Sequence, residues 1–176
     1  MTALTRRQNN TTNRITRLAL LTAIALTIFM VEAQIPSPVP LPGVKLGLAN
    51  IVTVWVMFTY GARDAGMVLT ARIFLGAVFS GQMSTILYSG GGGLLAWLVL
   101  ILMKKVVGKG QIWLASPISA LFHNLGQLLV ASAVMKTWAV MAYLPYLVLS
   151  GVISGFFTGW CAQFLLGRLD GSKKYS

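Results

Sequence analysis

Negative charge is almost missing from this chain. Three acids, Glu32, Asp64 and Asp170, stand against 14 Lys and Arg in 176 residues, and they are widely separated. Solitary carboxylates give no pair for general acid/base catalysis and no cluster to hold Mg²⁺. Histidine and cysteine occur once each, as His123 and Cys161. One of each cannot build a zinc or haem site or an internal disulfide, and Cys161 reads as a small apolar filler. The phosphate-binding pattern GxxxxGKS/T is absent, so ATP is not bound in that manner. These shortages predict a protein that is not an enzyme, with no catalytic residue, no metal and no cofactor of its own.

What fills the chain is apolar. Hydrophobic residues make up 56% and charged residues only 10%, more apolar surface than a soluble domain of this size can bury. Six apolar stretches, at 16–34, 46–62, 65–88, 91–107, 115–135 and 140–167, each approach the ~20 residues that a bilayer crossing needs. With the N-terminus inside, the inner ends hold Arg6, Arg7, Arg14, Arg17, Arg63, Lys104, Lys105, Lys109, Arg168, Lys173 and Lys174. The outer ends hold only Lys45 and Lys136. The positive-inside rule then predicts N-in, C-in and an even number of crossings. A net charge of +11 would point to nucleic acid in a soluble protein. Here the cations flank spans, beside anionic headgroups of the lipid bilayer, and no nucleic-acid partner is expected.

The expected fold is therefore an all-α integral membrane protein of six transmembrane helices. A loose polar tail is expected over 1–15, the bundle over 16–168 and a cytoplasmic tail over 169–176. A competing reading cuts the first run as a signal peptide near Val31-Glu32-Ala33. It leaves five spans and fits the charges less well.

The few polar residues within the spans are the candidate site. Arg72 falls inside the third span, where an arginine costs roughly 2.5–3.5 kcal/mol and so faces a cavity or a partner. Glu32 is expected at the outer end of span one and Asp64 at the inner end of span three, so neither stands at its depth. Two readings stay open: a ligand anion, or carbonyls and amides such as Asn124 and Gln127. His123 counts to a similar depth along span five, and His123 and Gln127 share a helix face. Asn50, one turn into span two, needs a partner, and Gln82 lies in span three. Lys45 at the outer end of span two either serves the site or snorkels to headgroups.

Arg63 and the adjacent Asp64 are expected to form an inner-surface ion pair. The segment Ile35-Pro36-Ser37-Pro38-Val39-Pro40-Leu41-Pro42-Gly43 is stiff, extended and apolar, either a lid or a plain linker. Gly90–Gly93 reads as a flexible outer turn, partly helical, or as a ligand-approaching backbone. Gly151, Gly155 and Gly159 form a small-residue stripe, for internal packing before a partner interface.

Six spans in this length, the pair Ala19-x-x-x-Ala23 and an apolar loop after span one resemble the substrate-binding S components of energy-coupling factor (ECF) transporters. More closely, the string Pro42-Gly43-x-Lys45-Leu46-Gly47-Leu48-Ala49-Asn50 is similar to the bacterial Gx transporter family. So are Arg72 with Gly76, Tyr88-Ser89 with the glycines, and His123-Asn124-x-x-Gln127. That family is also labelled heptaprenyl diphosphate synthase component I.

The resemblance covers roughly 14–168. It implies a multi-pass protein of the bacterial cytoplasmic membrane that captures a small molecule from outside. The protein would dock on a transmembrane coupling subunit that carries two ATPases. Ala19 and Ala23 would touch the coupling helices. The pocket would open outward under the 35–43 loop, between spans one, three, four, five and six. Lys45, Arg72 and His123 favour a small, partly apolar ligand with an anionic or polar group. The label supplies a rival, a non-catalytic membrane subunit of a prenyl diphosphate synthase. A third reading, a redox or quinone subunit, lacks cofactor ligands.

Overall fold

Backbone amides cannot remain unpaired in hydrocarbon, so an apolar chain of this composition closes its hydrogen bonds within helices. The computed structural model describes residues 3–35 and 47–172, and among them it contains helices and turns only. The order is α1 (Ala3–Glu32), α2 (Asn50–Thr59), α3 (Ala62–Ser80), α4 (Ser84–Val106), α5 (Ile112–Met135) and α6 (Leu144–Ser172). Short 3₁₀ turns at Lys109–Gln111 and Trp138–Tyr143 precede α5 and α6. Four helical segments are long and apolar enough to cross a membrane: Thr11–Glu32, Ser84–Val106, Ile112–Met135 and Trp138–Arg168. Large apolar side chains face outward all around, among them Phe79, Val106 and Trp160. This is a membrane protein.

Three boundaries differ from the sequence expectation, each for a local reason. The polar stretch expected to be a loose tail is helical from Ala3, since neither Pro nor Gly interrupts it. The second run yields only Asn50–Thr59, ~15 Å of helix against a core of ~30 Å. Gly47 and Gly61 bracket it at φ +82° and +104°, where a helix cannot continue. The break between spans three and four falls at 81–83 rather than at the glycine run. Gly81 closes α3 in the left-handed conformation, and all four glycines of 90–93 belong to α4.

Cross-links fix which helix ends meet. Arg14, near the start of the apolar Thr11–Glu32 part of α1, pairs with Asp64 at the start of α3. Lys104 at the end of α4 donates to the Met57 carbonyl near the end of α2 at 2.7 Å. The Ile112 amide opening α5 donates to Gln163 Oε1 near the end of α6 at 2.8 Å. One end of the bundle thus gathers Arg14, Arg63 and Lys104. Asp64 pairs with Arg14 across the helix interface rather than with its neighbour Arg63, correcting the expected Arg63–Asp64 pair.

The glycine stripe of α6 packs internally. A Cβ on Gly155 would lie 2.5 Å from Pro117 Cα, and one on Gly159 2.7 Å from Ser116 Cβ, so α5 and α6 touch backbone to backbone. Ser116 and Thr158 hydroxyls bond across the same seam at 2.9 Å.

Candidate functional site

Because α2 is half a crossing long, its N-terminus opens inside the bundle. Asn50, its first residue, is buried. The amides ahead of it end on a carboxylate: Gly47 N donates to Glu32 Oε1 at 2.6 Å and Ala49 N to Glu32 Oε2 at 3.4 Å. A helix N-terminus carries partial positive charge, and Glu32 from the last turn of α1 answers it. Glu32 is only 4% exposed. It also stands close enough to Arg72 for its charge to act on the guanidinium. The expectation that no acid shares the depth of Arg72 is thereby corrected. Linear counting put Glu32 at the rim, but the turn at 47–49 folds over it and encloses it.

Arg72 projects from α3 and is 3% exposed. Its Nη2 donates to Asn50 Oδ1 at 3.4 Å, its guanidinium lies 6.0 Å from the Phe29 ring centroid, and its Nε has no partner. Gly76, one turn on, admits the Phe29 ring, which a Cβ would meet at 2.8 Å. That close approach of α1 to α3 brings Phe29 and Glu32 to Arg72.

From the other side, α5 supplies His123. Its ring is wedged between two glycines: a Cβ on Gly47 would lie 3.4 Å from Cδ2, and one on Gly92 3.1 Å from Cε1. Gln127, one turn along, is fully buried, and neither its Oε1 nor its Nε2 has a hydrogen-bond partner. Thr85 on α4 is equally enclosed, with Oγ1 unpartnered. Buried amides and hydroxyls are nearly always paired in folded proteins, so such atoms need an explanation.

Asn50, Arg72 and His123 thus converge with Glu32, and Gln127 extends the line along α5. Asn124 does not join them. It turns to α6, donating from Nδ2 to the Leu147 carbonyl at 2.7 Å, and Gly151 makes room for it. Gln82 is exposed in the turn after α3, at least ~12 Å of helical rise beyond Arg72, and takes no part. Lys45 and the proline segment of 36–43 lie outside the described residues. Ala19 and Ala23 are exposed on one face of α1.

Sequence reading missed Glu32. The signal for Glu32 was present, since an ionisable residue within an apolar run marks a functional site by default.

Residues 21–165, well over half of the chain, match the family described as heptaprenyl diphosphate synthase component I, and the chain belongs to that family. No curated protein and no solved structure matches it.

Proposed function

We propose that this membrane-spanning member of the heptaprenyl diphosphate synthase component I family is the substrate-binding component of an energy-coupling factor transporter. In this reading it lies N-in and C-in in a bacterial cytoplasmic membrane. It takes a small, partly apolar molecule from outside and hands it to a transmembrane coupling subunit with two ATPases. The observation that carries the reading is the enclosed polar cluster around the N-terminus of α2. An unpaired buried polar group costs about 1–3 kcal/mol, and Gln127, Arg72 and His123 each carry such atoms. A bound polar molecule offsets that cost. Glu32 already balances Arg72, which favours a polar ligand over a strongly anionic one. The exposed small face at Ala19 and Ala23 suits close approach by the helices of a coupling subunit.

The family description favours a second reading, a non-catalytic membrane anchor for a prenyl diphosphate synthase. Catalysis by this chain itself is disfavoured. Glu32 ends α1 while Asp64 pairs with Arg14, ~27 Å of helical rise earlier on the same helix, so the two are too far apart to share a Mg²⁺. The test is affinity purification from native membranes in mild detergent, with mass spectrometry of the bound proteins. Recovery of a membrane coupling protein and paired ATPases is expected. Recovery of a soluble, aspartate-rich synthase subunit without ATPases overturns the transporter reading.

A further inference from the structure

The run Gly90–Gly93 has one glycine that packing does not explain. A Cβ on Gly91 would strike Val130 at 2.4 Å, one on Gly92 the His123 carbonyl at 2.6 Å, and one on Gly93 Ile73 at 3.1 Å. A Cβ on Gly90 would meet nothing within 4 Å. Gly90 instead borders a cavity of about 430 Å³ between α3 and α4, walled by Leu69, Ile73, Phe74, Ile86 and Leu94. The cavity continues past Gly66, Thr70 and Trp97 to Arg63 at the basic end of the bundle. It opens on the side of α3 and α4 that faces away from the bundle, where Phe74 and Leu94 are exposed, apart from the buried cluster around Arg72.

The walls offer a ligand almost no hydrogen bonds. The Thr70 hydroxyl donates to the Gly66 carbonyl at 2.9 Å, and the Trp97 indole N–H donates to the Ala62 carbonyl at 2.9 Å. The groove therefore suits a hydrocarbon chain. Its length agrees: from Arg63 to Phe74 the helix rises roughly 16 Å at ~1.5 Å per residue, close to one leaflet of a ~30 Å core. At its mouth Arg63 is exposed and has no ion-pair partner among the described residues, because Asp64 is taken by Arg14. A guanidinium at the headgroup level is matched by a phosphate.

We infer that the α3–α4 groove seats one acyl chain of an anionic phospholipid whose headgroup phosphate, not offset by a headgroup cation as in phosphatidylcholine, pairs with Arg63. This goes beyond the transport reading and does not depend on it. Trp97 lines the groove and reports on it. The full-length protein is placed in phosphatidylcholine bilayers containing chain-brominated phosphatidylglycerol or chain-brominated phosphatidylcholine. The Trp97 signal is taken as the difference between wild type and Trp97→Phe. Brominated phosphatidylglycerol is expected to quench at about fivefold lower mole fraction, the ratio that ~1 kcal/mol from one cation near an anionic headgroup amounts to. Arg63→Gln should remove the preference. Gly90→Leu, whose side chain enters the open groove, should weaken quenching by both lipids. Equal quenching by the two lipids in wild type, or undiminished quenching in Gly90→Leu, overturns the inference. Should Trp97→Phe not fold, native mass spectrometry compares phosphatidylglycerol retained by wild type and by Gly90→Leu. Lower retention by the variant is expected, and equal retention overturns the inference.

Discussion

Arg72 and Glu32 set the electrostatics of the interior. A guanidinium that is 3% exposed carries a desolvation cost that one long hydrogen bond to Asn50 does not cover. Glu32 contributes the balancing charge, while its oxygens hold the turn ahead of α2. The two side chains should therefore be energetically coupled. Glu32→Gln and Arg72→Ala are each expected to lower the thermal midpoint in detergent, with the double variant losing less than the sum. The interaction should be roughly 0.5–3 kcal/mol, and strict additivity would show that they act separately. On the transport reading, Arg72→Ala should still insert in the membrane but bind the transported molecule more weakly than wild type does. Unchanged binding removes Arg72 from the site. Arg72 was legible in the sequence because a mid-span charge is conspicuous. Its partner was not, because counting along a helix gives depth but not which loop folds over the rim.

At the scale of elements, the α4–α5 seam depends on missing side chains from both helices. A Cβ on Gly126 would stand 2.6 Å from the Gly91 carbonyl oxygen and 2.8 Å from Gly92 Cα, backbone atoms that cannot swing aside. Gly126→Ala is expected to destabilise by ~1–3 kcal/mol or more through overpacking. Gly90→Ala, which meets open space in the same helix, should stabilise by ~0.5–1 kcal/mol by removing glycine's conformational freedom. Thermal midpoints of the two variants decide this, and the reverse order would refute the packing argument. The run reads in sequence as a turn because glycine usually breaks helices. Here α5 lies close against it, so Gly91 and Gly92 are contact surface, while the true break is the single left-handed Gly81.

Across the whole molecule, the basic end holds Arg14, paired with Asp64, Lys104, bonded to the Met57 carbonyl, and the exposed Arg63. By the positive-inside rule that end is expected to face the cytoplasm. In a Cys161→Ala background, a membrane-impermeant thiol reagent added outside intact cells should label Gln82→Cys, which is exposed at the far end. It should spare Lys105→Cys until the cells are opened. Labelling of position 105 from outside would invert the orientation.

The sequence by itself determined the helical class, the membrane setting and the scarcity of catalytic groups. These follow from composition and from charge placement along the chain, which need no knowledge of contacts. It also marked Arg72, His123 and Gln127, since polar groups stand out in apolar runs. Only the tertiary structure decided that α2 is half a crossing whose N-terminus opens onto these residues. It alone closed Glu32 over them, turned Asn124 away to α6 and left Gln82 at the surface. Those outcomes depend on which faces meet and how closely backbones approach. Glycines at 47, 76, 92 and 126 set those distances through contacts between residues far apart in the chain, which no local pattern encodes.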